Sequence, residues 1–247
     1  MHILIPMSGR GSRFAQQGYA KPKPLIEFFG KPMVQHVLEN LGLHNTFTLC
    51  VLREHYDADP VLFNKLRDCA SNLNIVFVDQ VTQGAAETCL LAKQHIKPND
   101  TLFIANCDQI MAWDQDHFEE WLSAERLDGA MLTFFKVTTA YSYVEVDDRG
   151  LAIRTAEKQV ISPHATTGIY VWTRGEDFIW AAEQMITKDV RHAGEFYVCP
   201  VYNENIVNGQ KIGIYEKVEH WPIGTPEDLQ YFIDMHANGI DNFLQSS

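Results

Sequence analysis

Apolar and polar positions follow two regimes along this chain. In the first half, short apolar runs alternate with stretches of helical period. His2–Pro6 is an apolar run of strand length, and Met33–Leu43 has helical spacing. Thr46–Leu52 is rich in β-branched and apolar residues. Pro60–Ala70 is helical with proline at its start, and Ile75–Val78 is a short apolar strand. Glu87–His95 is helical again, followed by a strand at Thr101–Ala105. Such alternation predicts β-α-β units, with a mostly parallel sheet covered by helices. Ligands of such sheets sit at the carboxyl ends of the strands. The first strand then ends at a Gly-rich turn and the fourth at Asn106-Cys107-Asp108, lining one crevice.

The second half is strand-rich before it turns helical. Ala130–Val137, Tyr143–Val146, Ile153–Glu157 and Thr166–Trp172 read as strands, with Asp147-Asp-Arg-Gly150 turning between the middle two. Helical patterns follow at Glu176–Thr187 and Glu195–Asn208, then a strand at Lys211–Glu216. Thr225-Pro226-Glu227-Asp228 is a helix start, with Thr as N-cap and Asp closing a capping box. No repeat, long linker or low-complexity tract interrupts the chain. The pattern predicts one α/β domain over 1–247 with a mixed, mostly parallel sheet.

The chemistry concentrates after the first strand. Gly9-Arg10-Gly11-Ser12-Arg13 lets the backbone pass close to a ligand. Amides in such a turn make a concave anion site. Arg10, Arg13, Lys21 and Lys23 gather positive charge beside it, which suits a triphosphate. The dinucleotide fingerprint fails here, because Phe14 stands where a third glycine is required. The P-loop fails too, because Gly30-Lys31 is followed by Pro32. Asp108 follows a buried strand and is the metal-ligand candidate, since magnesium takes few protein carboxylates and keeps places for water and phosphate oxygens.

Composition narrows the partners. The 247 residues carry 20 Lys and Arg against 32 Asp and Glu, a formal net charge of −12. That argues against nucleic acid, whose phosphates demand a basic face, but leaves room for a small polyanion met by a local cluster of cations. Five scattered cysteines without a C-x-x-C spacing point to reduced thiols in a cytoplasmic setting. No stretch has membrane-spanning length. The histidine spacing does not suggest zinc.

Three segments in order resemble the sugar-phosphate nucleotidylyltransferases: Gly9-Arg-Gly-Ser-Arg13, Pro22-Lys-Pro-Leu25 and Gly30-Lys-Pro-Met33. The chain also looks like the branch of that superfamily found in bacterial capsule gene clusters. The resemblance implies a Rossmann-type fold of the nucleotidyltransferase and glycosyltransferase-A kind. It implies magnesium-dependent transfer of a nucleotidyl group to a phosphorylated sugar or polyol, giving an NDP-activated precursor for surface polysaccharide.

By that resemblance roughly 1–128 is the nucleotide-binding part and 129–247 the acceptor-binding part, Arg13 and Lys23 are catalytic, and Asp108 holds Mg2+. The nucleotide falls to Met7, Ser8, Gly9, Arg10, Gly11 and Ser12, with Asn106 at the fourth strand and Gln83 and Gly84 at the base. The acceptor falls to Tyr143, Lys158 and Gly168. Glu157-Lys158 and Thr167-Gly168-Ile-Tyr170 match short family segments, but Gln159 and Ser142 depart from them. The sharpest departure is Pro222, where the family usually places its second metal carboxylate. Glu216, Glu219 or Asp228 then substitutes, or Asp108 and the phosphates suffice. A glycosyltransferase of the related fold and a non-catalytic nucleotide-sugar sensor remain as alternatives. Homo-oligomerisation is open.

Overall fold

The computed structural model describes residues 1–237, so the last ten residues of the expected acceptor-binding part, 238–247, lie outside the described residues. In chain order the strands of the first half are β1 (His2–Met7), a two-residue hairpin β2 (Glu27–Phe28) and β3 (Lys31–Pro32), β4 (Thr46–Leu52), β5 (Leu73–Val78), β6 (Leu102–Ala105) and β7 (Gln109–Trp113). Those of the second half are β8 (Gly129–Phe135), β9 (Ser142–Val146), β10 (Ala152–Glu157), β11 (His164–Trp172), β12 (Ile212–Tyr215) and β13 (Val218–Pro222). The helices are α1 (Ser12–Gln16), α2 (Met33–Asn40), α3 (Arg53–Ala58), α4 (Pro60–Cys69), α5 (Ala85–Leu91), α6 (Gln115–Ala124), α7 (Gly175–Thr187), α8 (Tyr202–Val207) and α9 (Pro226–Met235). No helix among the described residues is long and apolar enough to cross a membrane.

The main sheet runs β10-β9-β11-β6-β1-β4-β5, with β8 between β11 and β12. Strands β6, β1, β4 and β5 are parallel. Strand β11 runs antiparallel to β6, β8 and β9. The expected mixed sheet is therefore divided into a parallel side and an antiparallel side. The apolar run of β1 follows from burial on both faces. Ile3, Ile5 and Met7 join one core with Phe47 of β4 and Phe63 of α4, while Leu4 joins the other with Cys50 of β4 and Phe178 of α7. Trp172 stacks on Tyr202 with ring centroids 4.2 Å apart and donates its Nε1–H to Asn205 Oδ1 at 3.0 Å, fixing α8 to β11.

Strand order places the crevice. From β1 the chain moves out through β4 to β5, then returns to β6 on the other side of β1. The direction of winding reverses between β1 and β6, and ligands enter open α/β sheets beyond the strand ends at such a point.

One predicted element differs, and one strand pair was not predicted. The helical pattern at Glu195–Asn208 yields α8 only from Tyr202, after a 3-10 turn at Cys199–Val201. Upstream, the backbone of Phe196 instead bonds to the loop before α5. Its amide donates to the Gln83 carbonyl at 2.7 Å, and its carbonyl accepts from Ala86 at 3.0 Å. Strand β13 pairs antiparallel with β7, with Pro222 opposite Gln109, although neither strand shows a pattern that sequence reading isolates. Thr225 caps α9 as expected: Asp228 N–H donates to Thr225 Oγ1 at 3.1 Å, while the Asp228 carboxylate accepts from that hydroxyl at 2.7 Å in place of the Thr225 backbone amide that a full capping box would use.

Candidate active site

The Gly-rich turn leaves β1 at the crevice mouth. Gly11 adopts φ +60, and a Cβ there would stand 2.6 Å from Lys23 Cβ, so a glycine lets the turn and the lysine loop close on each other. The first amide the short α1 uses is that of Phe14, which donates to the Gly11 carbonyl at 3.0 Å. Met7, Ser8, Gly9 and Gly11 line a cavity of about 200 Å³ with Lys23, Thr82, Gly84 and Glu195. Hydroxyls hold its far wall: Ser8 Oγ lies 3.0 Å from Thr88 Oγ1, which is 2.5 Å from Thr82 Oγ1. Gly84 sits at φ +140, where a Cβ would stand 2.4 Å from the Phe196 backbone.

A second cavity of about 350 Å³ adjoins the first. Arg13, Lys23, Asn106, Asp108, Lys158, Gly168 and Asp228 are among its lining residues. Lys23 and Cys107 line both cavities. Lys23 Nζ donates to Asp108 Oδ2 at 2.7 Å, and both side chains remain about one-fifth exposed, at 20% and 23%. Burial opposes charge on both, but the opposed charge outweighs it: the lysine is held above its usual range and the carboxyl below its own. Burial pushes the neighbouring Cys107 thiol up to about 11, so it stays protonated. A Cβ on Gly224 would stand 2.5 Å from Asp108 Oδ2, so this glycine gives the carboxylate its room.

The opposite wall comes from β11 and the end of β10. Pairing of β11 with β8 slips between Thr166 and Tyr170, where Gly168 has φ +90. This bulge brings Gly168 onto Asn106, whose amide donates to the Gly168 carbonyl at 3.0 Å. Lys158 takes a left-handed conformation at φ +51, and its Nζ donates to the Tyr197 hydroxyl at 2.9 Å. Glu157 is buried and accepts from the Ser142 hydroxyl. Burial raises its carboxyl above the ordinary range.

Not every expected residue converges here. Tyr143 does not line the crevice: its side chain is fully buried, and its hydroxyl is engaged by the Thr138 backbone, accepting from the amide at 2.7 Å and donating to the carbonyl at 2.5 Å. Tyr141 lines the cavity instead. Gln83 neighbours the first cavity without lining it, since its Oε1 accepts from Arg191 Nη2 at 2.8 Å and its backbone amide donates to Glu87 Oε2 at 2.5 Å. Arg10 and Ser12 are exposed and line neither cavity. Lys21 is spent in an exposed ion pair with Glu27 at 2.6 Å. Of the three carboxylates considered in place of Pro222, only Asp228 shares the Asp108 cavity. Glu216 pairs with His164 at 2.9 Å, and Glu219 lines a separate groove with Trp113 and Lys217. Sequence reading missed Gln109, Thr167 and His220, which line the same cavity. No single motif unites them.

A family model described as Nucleotidyl transferase matches residues 3–221. The chain is 25% identical over 225 residues to the bifunctional protein GlmU of Desulfotalea psychrophila, covering 86% of this chain and 62% of that protein. It is 30% identical over 182 residues to a mannose-1-phosphate guanyltransferase of Debaryomyces hansenii, covering 69% and 49%. The chain thus spans less than two thirds of either relative. Among solved structures, a nucleoside-diphosphate-sugar pyrophosphorylase from Vibrio cholerae RC9 superposes with a TM-score of 0.81 at 25% identity, covering 94% of this chain and 99% of that one. A family match over residues 3–221, which hold the turn cavity and most of the second one, makes this chain a member of the nucleotidyl transferase family, among sugar-phosphate nucleotidyltransferases.

Proposed function

We propose that the protein transfers a nucleotidyl group from a nucleoside triphosphate to a phosphorylated sugar or polyol and releases pyrophosphate, in a magnesium-dependent reaction that supplies an activated precursor for surface polysaccharide. The observation that carries this reading is the position of Lys23, which lines the turn cavity and the acceptor cavity at once.

The acceptor phosphate is already an anion, so no general base is needed. One of its oxygens bonds to the α-phosphorus while the bond to the bridging oxygen breaks, and pyrophosphate leaves with that electron pair. The obstacle is bringing two anions together, which positioning and charge neutralisation must overcome. The turn amides of Gly9–Ser12 and the Arg13 guanidinium receive the β- and γ-phosphates. Lys23 stands between the α-phosphate and the incoming phosphate, and Lys158 receives the acceptor phosphate. Met7, Ser8 and Asn106 bound the nucleotide side, the backbone of Gln83 and Gly84 lies along the base, and Gly168 bounds the acceptor side.

Magnesium fits this site as an ion carried largely by substrate. No group of three or more His, Cys, Asp or Glu among the described residues could hold a metal, whereas magnesium is often held by one or two carboxylates with phosphate oxygens and water. Asp108 is the carboxylate that would hold it, and the bound ion neutralises phosphate charge. Pyrophosphate release from five common triphosphates, each paired with a panel of sugar and polyol phosphates, tests the reading. Release requiring both substrates and magnesium is expected; nucleotide-sugar hydrolysis or glycosyl transfer without it would replace it.

A further inference from the structure

Between α7 and α8 the chain carries a guanidinium that lies outside both cavities yet ties them together. Arg191 lines neither cavity, and its side chain is 27% exposed. All three of its nitrogens are nonetheless engaged. Nε donates to Asp189 Oδ1 at 2.5 Å, Nη1 to the Gly194 carbonyl at 2.9 Å, and Nη2 to Gln83 Oε1 at 2.8 Å. The same group lies over the Phe196 ring, 3.9 Å from its centroid. Arginine's planar fork permits directed bonds and a stacked face at once, which a lysine does not.

These contacts hold a loop of unusual backbone. Asp189 and Ala193 sit at φ +55 and +48, and Gly194 at φ +85. His192 and Glu195 close the loop with reciprocal backbone bonds of 3.0 and 2.9 Å. Left-handed residues other than glycine persist only where their surroundings over-determine them. Arg191 supplies that bracing from inside the loop and extends it to Gln83, across the base side of the turn cavity.

The four residues that leave the loop serve both cavities. Glu195 lines the turn cavity, whereas Tyr197 and Val198 line the acceptor cavity. Phe196 between them is buried and bonded to the backbone of Gln83 and Ala86. The Tyr197 hydroxyl accepts from Lys158 Nζ at 2.9 Å, and the Glu195 carboxylate is hydrogen-bonded to the same hydroxyl. Any shift of Phe196 therefore moves a wall of each cavity. Whichever substrate first fixes this stretch leaves less ordering for the second.

We infer that Arg191 is a positioning residue that latches the 189–196 loop to Gln83, so that the base side of the turn cavity and the Tyr197–Lys158 wall of the acceptor cavity respond as one body and each substrate tightens the binding of the other. This rests on the nucleotide and acceptor readings of the two cavities given above.

Calorimetry tests it. Glucose 1-phosphate and mannose 1-phosphate are titrated in magnesium, with and without an excess of the α,β-methylene analogue of each of the five common triphosphates. For at least one pair the analogue is expected to tighten sugar-phosphate binding about fivefold or more. Arg191→Ala should bring that ratio close to one, and Tyr197→Phe, which removes a single hydroxyl, should lower it as well. A merely structural role would weaken each ligand alone and leave the ratio standing. If circular dichroism shows that Arg191→Ala does not fold, Tyr197→Phe decides. A wild-type ratio near one overturns the inference, as does a ratio that survives the variants. Pyrophosphate release is measured separately. A ratio lost in the variants without release in wild type sinks the reaction but not the latch. Release with the ratio intact in the variants sinks the latch but not the reaction, and no binding under any condition sinks both.

Discussion

The two cavities that meet at Lys23 are built by different means. The turn cavity is shaped mainly by backbone: Gly11 and Gly84 in positive-φ conformations, one closing on Lys23 and the other on Phe196. The acceptor cavity is shaped by side chains on β7, β11 and β13, brought together by a bulge and a strand pair. A backbone site reads what every triphosphate shares. A side-chain site can be rewritten residue by residue.

The largest effect is expected where the two cavities share a residue. Lys23→Met should reduce turnover by about a thousandfold or more with the fold retained, and Lys23→Arg should rescue poorly, because a planar fork does not replace a compact ammonium. Steady-state kinetics with circular dichroism decides it; full activity in Lys23→Arg would remove the lysine from between the phosphates. Next is Asp108→Asn, which should abolish the magnesium dependence of turnover along with most of the rate. Pro222→Asp should move the other way and tighten magnesium binding in a calorimetric titration, since Pro222 lies opposite Gln109 beside the Asp108 cavity. Magnesium binding by the free protein that survives Asp108→Asn would assign the ion to other carboxylates.

Arg13→Ala removes a guanidinium that lines the same cavity as Asp108 and is proposed to reach the leaving pyrophosphate. It should cost about a hundredfold in kcat/KM for the triphosphate, the scale of one lost transition-state contact, in steady-state kinetics. An unchanged kcat/KM would remove Arg13 from the triphosphate. Smallest for chemistry but clear for stability is Gly84→Ala. The added Cβ meets the Phe196 backbone at 2.4 Å in a conformation that L residues rarely take. Thermal unfolding should show a lower midpoint by several degrees, a loss of about 1–3 kcal/mol. An unchanged midpoint would mean the loop is not fixed against Phe196.

The same contrast explains what could be read from sequence. The turn cavity is local: Gly9-Arg-Gly-Ser-Arg13 and Pro22-Lys-Pro-Leu25 lie within seventeen residues, and glycine's backbone freedom leaves a mark in one sequence. The apolar runs of β1 and β4 were equally legible, because parallel strands covered on both faces must be apolar throughout. The acceptor cavity is not local. Thr167 and His220 stand fifty-three positions apart, and only the register of β11 and the β7–β13 pair juxtaposes them. Tyr143 was misplaced because an aromatic in a strand can face either side, and here it closes its own loop at Thr138. The segment before α8 has helical spacing, but tertiary bonds to Gln83 and Ala86 override it.

The pairing of Lys23 with Asp108 has a consequence for supply. In the free protein the carboxylate already has its counter-charge, 2.7 Å away. A bare divalent ion must compete with that tethered ammonium, whereas an ion arriving on a triphosphate brings anionic groups that can engage the lysine as it is displaced. On the proposed magnesium reading, the site would fill with the metal–nucleotide complex in preference to the free ion, and turnover would follow the level of that complex.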